Sequence, residues 1–162
     1  MDVKMDDLDF TKVVQEELIN LDLKATTKLG VIAELTHLLY VNGCVTDEEA
    51  FIQDVLYREN AGPTGLEKGI AIPHGKSDYV QKTTIAIGRT NKEIEWESLD
   101  GGPINIIILF AVKNSDKTTT HIKLLQKVAV LLADEEKIEK FQTLKTKREF
   151  IEIFTENNGQ EE

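Results

Sequence analysis

Arg58 to Gly75 gathers the residues best able to do chemistry: a guanidinium at Arg58, a hydroxyl at Thr64, an imidazole at His74, and glycines at positions 62, 65, 69 and 75. Pro63 and Pro73 fall in the same span, so it does not read as a helix. Glycines let the backbone turn and bring peptide N–H groups close to a bound anion. Ile70, Ala71 and Ile72 form a short apolar segment, which predicts His74 at the end of a strand, beside a loop that can hold such an anion. A neutral imidazole is a nucleophile, and an arginine grips phosphate through two parallel hydrogen bonds. Phosphoryl transfer on His74 is therefore one reading. A structural histidine is the other: Pro73 restricts the backbone before it, Gly75 adds no shielding side chain, and spacing alone leaves both open.

The other two histidines have unequal claims. His37 lies between Leu35 and Leu38 in a helical pattern and reads as a partly exposed helix residue. His121 follows the apolar run Ile104 to Val112, and ligand sites of open α/β sheets lie beyond the carboxyl ends of strands, so His121 is a candidate to meet His74. Two histidines also invite a metal. The chain has no His-x-x-x-His pair and no cysteine pair, so no metal site is expected.

Whole-chain numbers narrow the classes. A length of 162 residues with 41% apolar content suits one domain over residues 1–162 with a single sizeable core. Acidic residues outnumber lysine and arginine 29 to 19, a formal charge of −10, which argues against nucleic acid and favours a basic protein partner or simple solubility. No apolar run reaches membrane-spanning length, and Met1 to Asp7 lacks signal-peptide features, so a cytoplasmic protein without direct membrane insertion is expected. The one cysteine, Cys44, reads as a small buried residue.

The elements that must position the candidate site follow from periodicity. Met1 to Asp9 reads as a loose arm, and Leu18 to Leu23 as an edge strand. A helix starts at Thr26 or Thr27 and stops at Asn42-Gly43. Thr46-Asp47-Glu48-Glu49 reads as a capping box for a second helix, with Phe51, Ile52, Val55 and Leu56 on its apolar face. Strands are expected at Thr83 to Thr90 and, separately, Glu93 to Glu97, then a turn at Asp100-Gly101-Gly102-Pro103 and a doubly buried strand at Ile104 to Val112. Helices from His121, over Asp134 to Phe141, and from a capping box at Thr146 and Glu149 to Asn157-Asn158-Gly159 complete the chain. The sum predicts an α/β three-layer sandwich, a mixed central sheet with helices on both faces.

Arg58-Glu59, Thr64-Gly65 and Gly69-Ile70-Ala71-Ile72-Pro73-His74-Gly75 resemble, in order, the IIA component of the bacterial phosphoenolpyruvate-dependent sugar phosphotransferase system, fructose and mannitol (type 2) branch. Trp96 with Leu99-Asp100-Gly101, the strand from Ile104, and His121 with Leu124-Leu125 and Val128-Ala129 resemble that family's later motifs. The resemblance implies a relay. The phosphocarrier HPr would phosphorylate His74 on Nε2, and His74 would pass the group to a cysteine of a IIB component, serving a membrane IIC component indirectly. It implies stabilising roles for His121 and Arg58, a weaker phosphate-loop role for Thr64 and Gly65, and no cofactor. Acidic Glu59 and Glu67 near the loop are expected to steer the donor. A regulatory protein of the nitrogen-related branch, with the same phosphohistidine, is the rival reading; a metal-dependent hydrolase using His74 and His121 is the remote one.

Overall fold

The apolar run beginning at Ile104 becomes β5 (Ile104–Lys113), the central strand of a five-stranded mixed sheet. The computed structural model describes residues 14–115 and 120–155, without the side chains of Thr120 and His121. The expected arm at Met1–Asp9 and the helix stop at Asn157–Gly159 lie outside the described residues. On one side β5 pairs antiparallel with β4 (Thr84–Ile94), and β1 (Ile19–Leu23) runs parallel to β4 as the far edge. On its other side two short strands, β2 (Ile70–Ala71) and β3 (His74–Ser77), lie parallel to successive stretches of β5.

Successive residues of a strand face opposite sides of its sheet, and β5 is apolar on both. Ile106, Ile108, Phe110 and Val112 enter one core, while Ile107, Leu109 and Ala111 enter the other. The second of these cores is closed by α1 (Lys28–Val41) and α2 (Glu48–Ala61), through Ile32, Leu35, Phe51 and Val55. The first is closed by α3 (Thr120–Leu132), α4 (Glu135–Thr143) and α5 (Lys147–Thr155), through Leu124, Val128, Phe141 and Phe150. Helices thus cover both faces of a mixed sheet, the three-layer α/β sandwich that the pattern predicts.

Most helix ends form where the sequence places them. Thr27 Oγ1 accepts from Gly30 N at the start of α1, and Gly43 takes the left-handed conformation after its end, at φ 77°. Thr146 and Glu149 form a reciprocal box: Thr146 Oγ1 accepts from Glu149 N at 3.1 Å, and Glu149 Oε1 accepts from Thr146 N at 3.0 Å. Two expectations need correction. At α2 the cap is Asp47, which accepts from Ala50 N, while Thr46 N donates to Tyr79 O and ties the helix entry to the turn after β3. The separate strand at Glu93–Glu97 does not form. β4 continues to Ile94, where an irregularity lets it pair again with Ile104, and Trp96 lies beyond the strand in the core. No helix among the described residues is long and apolar enough to cross a membrane.

Candidate functional site

The edge of the sheet formed by β2 and β3 is broken at Ile72-Pro73, and the break builds the site. Pro73 has no N–H, so the edge cannot run through it as a regular donor strand. Pairing resumes when Phe110 N donates to Pro73 O at 2.8 Å, with His74 level with Phe110 in register. In the gap, Ile72 N donates to Thr64 O at 3.0 Å and Ile72 O accepts from His74 Nδ1 at 2.7 Å. A carbonyl only accepts, so Nδ1 carries the proton and, in the neutral ring, the lone pair is on Nε2. The imidazole also stacks on Phe110, with ring centres 4.5 Å apart and planes 5° from parallel. His74 therefore opens β3 rather than ending the strand before it, and the half-buried ring is fixed in both position and tautomer.

Gly75 owes its identity to the opposite face of the same strand. A Cβ there would lie 2.6 Å from both Phe51 and Val55 of α2. Only a glycine lets β3 approach α2 this closely.

A cavity of about 450 Å³ lies between α2, β3 and the end of β5. His74 lines it together with Asp54, Tyr57, Arg58 and Ala61 of α2, Lys76 of β3, and Val112 and Asn114. A larger depression of about 630 Å³, bordered by Lys68 and residues of α4, contains none of the expected site residues. Arg58 is in the last turn of α2, and its Nη1 donates to Gly62 O at 2.7 Å. That bond uses one of five N–H donors and satisfies a carbonyl at the helix end. Arg58 thus closes its own helix while its side chain borders the histidine's cavity.

The remaining candidates are placed differently. Thr64 is 4% exposed and its hydroxyl donates to Glu59, so its proton is directed at a carboxylate, and Thr64 does not line the cavity. Gly65 is a packing glycine: a Cβ would collide with Glu97 O, and Gly65 O accepts from Leu99 N. Glu59 is buried at 7% exposure and paired with Lys28, which removes it from the expected steering surface; Glu67 is exposed but borders a different depression. Among the described residues, the charged groups at the cavity itself are Arg58, Lys76 and Asp54. His121 is the second residue of α3, and its side chain is outside the described residues. His37 is an exposed helix residue with Nδ1 3.2 Å from Glu48, and Cys44 is buried, with burial pushing its thiol pKa up.

Two signals for the cavity were present in the chain. Asp54, Tyr57, Arg58 and Ala61 stand at i, i+3, i+4 and i+7, one face of a helix, but a face without an apolar stripe passes for a solvated one. Lys76 is two residues beyond His74, hence on the same side of an extended strand.

Residues 12–157 match the family model described as phosphoenolpyruvate-dependent sugar phosphotransferase system, EIIA 2. The chain is 30% identical, over 94% of its length and 98% of the relative's, to the fructose-specific EIIA component of Haloferax volcanii. It is 29% identical over 94% of its length to the 2-O-alpha-mannosyl-D-glycerate-specific EIIABC component of Escherichia coli, of whose length it spans only 23%. Among solved structures it resembles the nitrogen regulatory protein IIA-Ntr of Neisseria meningitidis, with TM-score 0.82 and 27% identity over 89% of this chain and 97% of that one. It also resembles the complex of enzyme IIAMtl with phosphorylated enzyme IIBMtl from Escherichia coli, with TM-score 0.74 and 27% identity over 88% and 97% of the two chains.

Proposed function

Because the chain belongs to the phosphoenolpyruvate-dependent sugar phosphotransferase system EIIA 2 family, we propose that it is a cytoplasmic relay protein that accepts a phosphoryl group on His74 and hands it to a IIB component. The observation that carries this reading is the 2.7 Å bond from His74 Nδ1 to Ile72 O. It keeps the proton on Nδ1, so the lone pair of Nε2 attacks phosphorus. As the Nε2–P bond forms, the bond from phosphorus to the donor's histidine, on phospho-HPr, breaks and its electron pair returns to that imidazole. In the second transfer a cysteine thiolate of the IIB component attacks, the Nε2–P bond breaks, and His74 regains its lone pair. The solved pairing of a similar IIA protein with a phosphorylated IIB supports this choice of acceptor.

The phosphoryl group carries its transition-state charge on three equatorial oxygens, and fixed donors stabilise it. Arg58 supplies a guanidinium at the cavity wall, and His121, in the first turn of α3, is assigned a further hydrogen bond. Both transfers occur between protein side chains, so the relay uses no cofactor.

Similarity to IIA-Ntr supports a second reading, in which the same phosphohistidine signals to other proteins instead of feeding sugar uptake. One experiment tests both. The protein is incubated with phosphoenolpyruvate, enzyme I and HPr, its intact mass and acid lability are followed, and a IIB component is then added. Acid-labile phosphate on His74 that moves to the IIB cysteine is the expected result. Stable labelling that no IIB component discharges favours the regulatory reading, and labelling that persists in His74→Ala overturns the site.

A further inference from the structure

Glu59 follows the cavity-lining Arg58 on α2, yet its side chain turns inward and is 4% exposed. A carboxylate stripped of water persists only with strong partners, and this one has two. Oε1 accepts from Thr64 Oγ1. Oε2 lies 2.7 Å from Lys28 Nζ of α1, an ion contact rather than an aligned hydrogen bond, and the same ammonium stands 5.0 Å from the centre of the Trp96 ring. Glu59 thereby joins α1, α2 and the loop at Thr64 at one buried point.

The effect reaches the nucleophile in two further bonds. Thr64 O accepts from Ile72 N, and Ile72 O accepts from His74 Nδ1. Leu66 N donates to Ile70 O at 2.8 Å, so residues 64–66 flank residues 70–72 as a short antiparallel strip whose register the Thr64 anchor sets. Ile72 is consequently held at both ends, its N–H by the strip that Glu59 fixes and its C=O by the imidazole. Pro73 offers no N–H and ties the edge to β5 only through its carbonyl, so the strip is what holds Ile72 from its N–H side. We propose that Glu59 is a positioning residue for His74, acting through Thr64 and Ile72 to hold Nδ1 as the protonated nitrogen and Nε2 as the nucleophile. This role rests on phosphoryl acceptance by His74 as proposed above, but its physical content is the tautomer of the resting protein.

The test therefore reads the tautomer directly. The ring nitrogens of His74 are followed by long-range ¹H–¹⁵N correlation in unphosphorylated wild type, Thr64→Val, Thr64→Ser and Glu59→Gln, with single-turnover phosphorylation by phospho-HPr measured in parallel. Wild type and Thr64→Ser are expected to show one Nδ1–H tautomer. Thr64→Val, which removes the hydroxyl, is expected to show a mixture and to be phosphorylated about tenfold more slowly at an unchanged half-saturating donor concentration, as misaiming of a reacting group predicts. Glu59→Gln keeps the acceptor but loses its charge, and is expected to fall between them. Folded Thr64→Val with wild-type nitrogen shifts would overturn the proposal. If that variant does not fold, unchanged shifts in Glu59→Gln overturn it instead. Failure of wild type to accept phosphate would sink the proposed function while leaving the tautomer result standing.

Discussion

The two edges of the sheet are both irregular, yet only one carries the chemistry proposed above. At β1 the register shifts between Asn20 and Leu23; Asn20 Oδ1 accepts from Asp22 N, and the Glu34 carboxylate of α1 accepts from Lys24 N and Ala25 N just past the strand. At the other edge the break at Ile72-Pro73 leaves a carbonyl, and the group that takes it up is the imidazole of His74. In one case inert amide and carboxylate oxygens satisfy loose N–H donors. In the other a titratable ring is oriented by the repair, beside a cavity with Arg58 and Lys76. A broken edge becomes a site only when the side chain that mends it can react and has open space next to it.

The largest test of this contrast is removal of the ring proposed to react. His74→Ala is expected to abolish phosphoryl acceptance in the enzyme I and HPr assay, with intact mass showing no added phosphate. Next comes Arg58. Arg58→Ala is expected to slow acceptance by about a hundredfold, the typical cost of removing one transition-state donor. Arg58→Lys restores the charge but not the fork, so full recovery in that variant would mean that charge alone suffices at this edge.

A third variant sharpens the comparison through packing. Gly75→Ala places a methyl 2.6 Å from Phe51 and Val55. At that distance Phe51, Val55 or the strand next to His74 must shift, so a loss of about 1–3 kcal/mol in denaturant unfolding is expected, together with slower phosphorylation. A fully stable and active Gly75→Ala would mean that the closeness of β3 to α2 is not what fixes the ring.

The sequence carried the scaffold well because its signals are local. Apolar runs, Gly43 after α1 and the Thr146–Glu149 box each act within a few residues. Arg58 and His74 were visible through their motif. What escaped depends on distant partners. Glu59 looks like a surface acid at the end of a helix until Lys28 and Thr64 enclose it. Likewise β4 outruns its local pattern because Ile104 re-engages Ile94 after a register shift, a pairing across the Asp100–Pro103 turn that apolar periodicity does not signal. The side of α2 that borders the cavity is polar, and periodicity finds a face only when it is apolar.

The smallest expected effect is at the inert edge. The Asp22 carboxyl is held below the usual carboxylate range, first by its hydrogen bond from Lys24 and then by that from Asn91. A carboxylate with a depressed folded pKa adds stability above its unfolded value, about 3.9, and loses it as the pH falls through the folded value. Asp22→Asn is therefore expected to melt slightly below wild type at neutral pH and to converge with it in acid. Salt should shrink the gap, because the pair is exposed and screened. Phosphorylation of His74 should not change. If Asp22→Asn slowed acceptance while barely altering the melt, the two edges would be coupled through β4 and β5, and the separation between a structural edge and a reactive one would fail.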